Sequence, residues 1–153
     1  MTTDTDRIQE QILISAPVER VWSILTEGQF LGSWFGNGEP ARVDLRPSGL
    51  IFFDHGVHGS LPARIEKVDR PRQLSYRWSQ GDAGTEPTDG NATLVEFTLD
   101  PVAEGTVLRV VESGFNSLSD LSAETVYARR AANLQNWPGK LDFLRLRVEQ
   151  FVG

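Results

Sequence analysis

The sequence predicts an α+β domain in which a curved antiparallel sheet of six or seven strands wraps one long C-terminal helix, with two short helices after the first strand. Three observations carry this expectation. Residues 41 to 113 are a succession of short β-rich runs broken by turn chemistry. Residues 122 to 151 hold one sustained helical period. A single alternating run at the start, followed by a switch to helical spacing, precedes both.

Taken in chain order, RIQEQILIS alternates Ile8, Glu10, Ile12 and Ile14 against Gln9, Gln11, Leu13 and Ser15, the period of a strand with one face more buried than the other. APVERVWSILTE then changes period. Pro17 suits a first helical turn, Glu19 complements the positive helix end, and Val18, Val21, Trp22 and Leu25 fall at i, i+3, i+4 and i+7. Gly28 interrupts this helix, and GQFLGSWFG reads as a second short helix closed by Gly36. The strand runs that follow are ARVDL, LIFFDH, LPARIEKVD, QLSYRWS, ATLVEFTLD and TVLRVVES. Pro47-Ser48-Gly49, Gly56 with Gly59, Asp69-Arg70-Pro71 and Glu104-Gly105 punctuate them as hairpin connections would. QGDAGTEPTDGN, residues 80 to 91, has no apolar periodicity and predicts a mobile surface loop. In the last segment Leu134, Trp137, Leu141, Leu144, Val148 and Phe151 step by three or four residues and form one apolar stripe. A helix from about Ser122 to Phe151 would extend roughly 45 Å and cross the whole sheet. Pro138 removes a hydrogen bond from it, so a kink near Gln135 is expected. A sheet curved around such a helix leaves space between the two, a common setting for an apolar cavity.

Composition bounds the function. The 153 residues suit one domain, 1–153, with 1–6 expected as a disordered tail. No apolar run approaches the length of a membrane span, and the polar start MTTDTDRIQEQ does not resemble a secretory signal, so no membrane insertion and a cytoplasmic location are expected. The absence of cysteine excludes disulfides, thiolate metal sites and cysteine nucleophiles. A net charge of −6 and a pI near 4.9 argue against nucleic acid, which needs a concentrated basic face. Arg129, Arg130, Arg145 and Arg147 are interleaved with Glu124, Asp142 and Glu149, the pattern of a solvated helix face. His55 and His58, beside Asp54 in DHGVHG, are too few for a metal site and read as an exposed hairpin tip. Neither a nucleophile elbow nor a phosphate-binding glycine loop is present, and no cofactor or metal is expected.

Trp34 and Phe35 are either core aromatics or the lip of a cavity, with Gly32 and Gly36 beside them to let that lip move. Trp137, at the centre of the helical stripe, is core or a flat pocket wall with one N–H donor. Tyr76 and Trp78 share a strand face with Leu74, and the tyrosine adds a hydroxyl. Glu112 shares parity with Leu108 and Val110. If those face the helix, its carboxylate points inward, where it could serve as an acid, a base or a ligand anchor; otherwise it ends the strand in solvent or pairs with an arginine.

ISAPVERVWSILTE, FLGSWFG, LPARIEKVDRPRQLSYRW, TLVEFTLDPVAEGTVLRVVESGF and NLQNWPGKLDFL resemble, in order, the successive blocks of the domain related to the C-terminal part of the heat-shock protein 90 ATPase activator. That family lies in the START-like or SRPBCC superfamily, so the resemblance implies the helix-grip fold and a cavity between sheet and long helix. It implies no particular reaction, because the superfamily hosts lipid carriers, hormone receptors and aromatic cyclases alike. The eukaryotic cochaperone engages the chaperone through a separate N-terminal domain for which these residues leave no room, so chaperone activation is not expected. The expected function is binding of an apolar or aromatic small molecule in a cavity lined by Trp34, Phe35, Tyr76, Trp78, Glu112, Phe115 and Trp137. Two alternatives stay open: an aromatase-, cyclase- or hydrolase-like enzyme using Glu112 or Tyr76 as acid or base, and a module binding a chaperone or regulator. A homodimer is compatible with each. Without a catalytic motif, non-enzymatic binding is favoured.

Overall fold

The structure, a computed structural model, describes residues 6–27, 42–54, 60–81 and 85–150, with the backbone alone for 52–54 and 60–61. Its strands are β1 (Arg7–Ile14), β2 (Arg42–Val43), β3 (Leu50–Asp54), β4 (Ser60–Asp69), β5 (Gln73–Ser79), β6 (Ala92–Val102) and β7 (Gly105–Ser113). The helices are α1 (Val18–Thr26) and α2 (Ala123–Gln150), with a 3-10 turn at Phe115–Ser117 between β7 and α2. All seven strands form one antiparallel sheet in the order β1-β7-β6-β5-β4-β3-β2, so the first strand closes one edge against the last.

Strand periodicity decides which side chains meet the helix. In β1 Ile8 and Ile14 are buried while Gln9, Gln11 and Leu13 are exposed, and in β5 the buried set includes Leu74, Tyr76 and Trp78. In β7 Thr106, Leu108, Val110 and Glu112 all face inward. Register then aligns them across the sheet: Ile8 opposes Glu112, Glu112 opposes Val95, Val95 opposes Tyr76, and Tyr76 opposes Ile65. One row of apolar side chains therefore carries a single carboxylate. At the β6–β7 turn Gly105 has φ 143°, and a Cβ there would stand 2.1 Å from the Ile14 carbonyl oxygen, so only glycine fits.

Pro17 acts one position earlier than the spacing predicts. It is the residue before α1, extended at ψ 151°, and its carbonyl accepts from the amides of Arg20 and Val21. Val21, Trp22, Ile24 and Leu25 fill the core from this helix. At the start of α2 the Ser122 hydroxyl accepts from the Thr125 amide at 3.1 Å, an N-cap. The helix continues through Pro138, burying Trp137, Leu141, Leu144 and Val148. Leu134 breaks the expected stripe at 42% exposure, because that turn overhangs a groove instead of the sheet. The second short helix predicted over GQFLGSWFG, with Trp34 and Phe35, lies outside the described residues, as do His55, His58 and Phe151.

One expectation changes elsewhere. Residues 85–91 form an anchored turn: Pro87 and Asn91 are buried, the Asn91 amide group donates to the Glu86 carbonyl, and Arg64 donates to the Pro87 carbonyl. Asn91 supplies the turn with internal hydrogen bonds that periodicity cannot register. Asp6, the first described residue, accepts through its carboxylate from the amides of Gly114 and Asn116. On α2 the arginines lie among the acids as the spacing predicts: Arg145 reaches both Asp142 and Glu149, and the exposed Arg129 donates to the Gln80 carbonyl. No described helix is long and apolar enough to cross a membrane.

Candidate functional site

Glu112 is fully buried, and the expectation of a solvated or arginine-paired strand end gives way to a different arrangement. Its Oε2 accepts from the Thr93 hydroxyl at 2.6 Å and its Oε1 from the Trp137 indole N–H at 2.8 Å. The Asn133 amide group spans both oxygens at 3.2 and 3.1 Å and also donates to Gln80 Oε1 at 3.2 Å. Gln80 in turn donates to Thr93 Oγ1 at 3.3 Å, so the threonine proton is directed at the carboxylate. The chain of donation runs one way, toward Glu112. An indole N–H and an amide NH₂ can only donate, so this shell is built around an acceptor, and the ionised carboxylate fits it best.

The fold supplies these four donors from three places. Thr93 sits two residues before Val95 on the inward face of β6, which puts it diagonal to Glu112 across the ladder. Asn133 and Trp137 are one helical turn apart on α2, and Gln80 follows β5. The network thus ties sheet to helix through one buried charge.

Lys140 extends the cluster by three residues along the same flank of α2. It is half-buried, and its Nζ lies 5.1 Å from the ring centroid of Trp78 and 5.5 Å from that of Trp137, within reach of both π faces. Behind them the aromatics continue inward. Phe97 meets Trp137 edge-on at 5.9 Å, and Tyr76 packs on Phe97 at 6.1 Å. Beside Tyr76 and Phe97, bounded also by Leu25, Val43, Ile51 and Leu74, is a crevice too narrow to hold a water molecule.

The electrostatics follow from burial. Desolvation raises the Glu112 carboxyl above the usual carboxylate range, while hydrogen bonds from Thr93, Trp137 and Asn133 and the charge of Lys140 pull it part of the way back. Burial lowers the Lys140 amine to about 8, against the opposing pull of Glu112. The Tyr76 phenol is pushed well above its ordinary value, first by burial and then by the Glu112 charge, so it stays protonated at neutral pH.

A pH prediction follows for Lys140. Its folded-state value lies below the unfolded one, so between about 8 and 10.5 the unfolded chain binds more protons, and stability contributed by this site rises with pH across that window. Urea denaturation of the wild type and Lys140→Met at pH 7.5 and 10 should show the wild type gaining relative to the variant at the higher pH.

Of the residues the sequence singled out, the structure brings together Tyr76, Trp78, Glu112 and Trp137. Phe115 is elsewhere, forming with Leu118, Val126, Tyr127 and Leu134 the wall of an open groove of about 560 Å³ on the neighbouring flank of α2. Trp34 and Phe35 fall outside the described residues. Sequence reasoning missed Thr93, Asn133, Lys140 and Gln80. Each could have been found, since Asn133 and Lys140 stand four before and three after Trp137 and Thr93 shares parity with Val95 and Phe97. Gln80 continues the parity of Leu74, Tyr76 and Trp78 just past the end of β5. Among the described residues no three His, Asp or Glu side chains are grouped to hold a metal.

A seven-strand antiparallel sheet gripping a long C-terminal helix, with a polar cluster in their seam, defines a START-like helix-grip domain. Residues 15–146 match the family described as Activator of Hsp90 ATPase homolog 1-like protein, and the chain belongs to that family. Solved structures agree on the fold. Protein MLL2253 from Mesorhizobium loti is 20% identical with a TM-score of 0.76, the match covering 96% of this chain and 99% of that one. Protein NE0264 from Nitrosomonas europaea is 18% identical with a TM-score of 0.75, covering 98% of each chain. The Aha1 dimer from Colwellia psychrerythraea, solved in solution, is 20% identical with a TM-score of 0.72, covering 96% of this chain and 98% of that one. No match is found among curated proteins.

Proposed function

We propose that this domain binds an apolar or aromatic small molecule between the sheet and α2, beside Trp78 and Trp137 with Lys140 at the rim, the seam parting to admit it because both indoles are buried. The observation that carries the proposal is the Lys140 amine held over two indole rings beside a buried carboxylate. Flat apolar walls with one or two polar groups at a fixed point are the usual make-up of a small-molecule site. Burying a carboxylate and an amine in a helix–sheet seam is costly for stability alone, since apolar residues of similar volume fill such space as well or better.

The Glu112 shell bears on the enzymatic alternative. Both carboxylate oxygens are already taken by Thr93, Trp137 and Asn133, so Glu112 would have to release a partner before it could accept a substrate proton. Binding therefore remains the better-supported reading, with Glu112 positioning Trp137 and Asn133. A thermal-shift screen of aromatic and apolar compounds tests it. A ligand present at a hundred times its Kd should add about 2.7 kcal/mol, or roughly 5–10 °C in Tm. The shift should shrink in Trp78→Ala. A broad aromatic library that moves Tm nowhere would remove the proposal.

A further inference from the structure

The chain has thirteen arginines and two lysines, Lys67 and Lys140. Where a surface cation is wanted this sequence overwhelmingly uses arginine, and Lys67 is exposed on β4. The cation in the aromatic seam is the other lysine. Arginine would stack on the indoles at least as well, yet it cannot lose its proton, and the nitrogen lone pairs of its guanidinium are delocalised. What a lysine offers at such a position, and an arginine does not, is an amine lone pair.

Resting on the binding reading above, we propose that Lys140 is a reactive amine that captures an aromatic aldehyde or ketone as an imine, with the ring of that compound lying against Trp78 and Trp137. The surroundings suit each stage. In its neutral form the amine nitrogen attacks the carbonyl carbon, the C=O π pair passes to oxygen, and proton transfer from nitrogen to oxygen gives the carbinolamine. A proton taken from solvent adds to the hydroxyl, the C–O bond breaks to release water, and the nitrogen lone pair forms the C=N bond, leaving the protonated imine. No oxidant or reductant is consumed. The product is again a cation, so it keeps the attraction of both indole faces that the ammonium has. It also keeps the field of Glu112, whose oxygens are occupied by other donors. The lowered proton affinity of Lys140, about 8, leaves roughly a tenth of the amine neutral at pH 7, far more than an ordinary lysine offers. The titratable groups facing it from the sheet are Glu112 on β7 and, deeper, Tyr76 on β5, and the phenol stays neutral.

The test uses the full chain with 2-naphthaldehyde and sodium cyanoborohydride, which reduces the protonated imine to a stable secondary amine, read by peptide mass mapping. Lys140 should be labelled at least about tenfold faster than Lys67, with a rate that saturates in aldehyde. The N-terminal amine, of similar basicity in general, should respond linearly. The carbonyl-free 2-naphthylmethanol should slow labelling at Lys140 and leave Lys67 unchanged. Lys140→Arg should abolish the fast adduct and Lys67→Arg should retain it; the comparison of two lysines within the wild type stands even if a variant folds poorly. Saturable tryptophan quenching by 2-naphthylmethanol, with Lys140 labelled no faster than Lys67, would overturn the imine and leave the binding reading intact. If neither quenching nor selective labelling occurs, both fail.

Discussion

Trp137→Ala is expected to lose about 4 kcal/mol of folding stability, the largest effect of any single truncation in the helix–sheet seam. The ring is 1% exposed and touches Phe97 edge-on, so its removal leaves a cavity that neighbours in the sheet cannot close. It also takes away the N–H that meets Glu112 Oε1 at 2.8 Å. Trp137→Phe separates the two contributions: most of the packing stays, the donor goes, and the expected loss is about 1–3 kcal/mol. Equilibrium urea unfolding measures both. A Trp137→Phe variant as stable as the wild type would mean that the indole hydrogen bond contributes nothing.

Glu112→Ala comes second, with an expected loss of about 3 kcal/mol, because it leaves the donors of Thr93, Trp137 and Asn133 without their acceptor. Glu112→Gln should fall between it and the wild type, since one oxygen still accepts while the new NH₂ faces a donor. The three donors act as a unit, so Asn133→Leu should cost markedly less in the Glu112→Leu background than alone, and a double-mutant cycle reads that coupling. The pH sign is fixed by burial. The folded carboxyl holds its proton to higher pH than the unfolded one, so Glu112's own contribution to stability declines as pH rises from the ordinary carboxylate value through the raised one, and is constant above it.

Much of this architecture was legible because strands and helices write their burial into sequence with different periods. The alternation of β1, β5 and β7 and the run Trp137, Leu141, Leu144, Val148 come through unchanged as buried faces. Parity offered an inward Glu112 as one of two readings, and the buried face of β7 decides for it. What parity could not supply was its partners, because the register that brings β6 beside β7, and the rotation that sets Asn133 and Lys140 over them, are properties of the assembled sheet and helix. Leu134 shows the converse failure: an apolar residue at the correct spacing stays exposed when the sheet does not extend beneath it. Asn91 and Pro87 show that turn chemistry can bury residues in a segment without periodicity.

The claim that the seam of Trp78, Trp137 and Lys140 receives an aromatic compound is tested most directly at the indole N–H groups. The chain has four tryptophans, so a ¹⁵N-labelled sample gives at most four indole signals, assigned by single Trp→Phe variants. Titration with 2-naphthylmethanol should move the Trp78 and Trp137 signals along a common saturating curve and leave that of Trp22, buried in α1, where it began. Indole signals that stay fixed, or that drift together in proportion to the compound without saturating, would contradict a site at this seam.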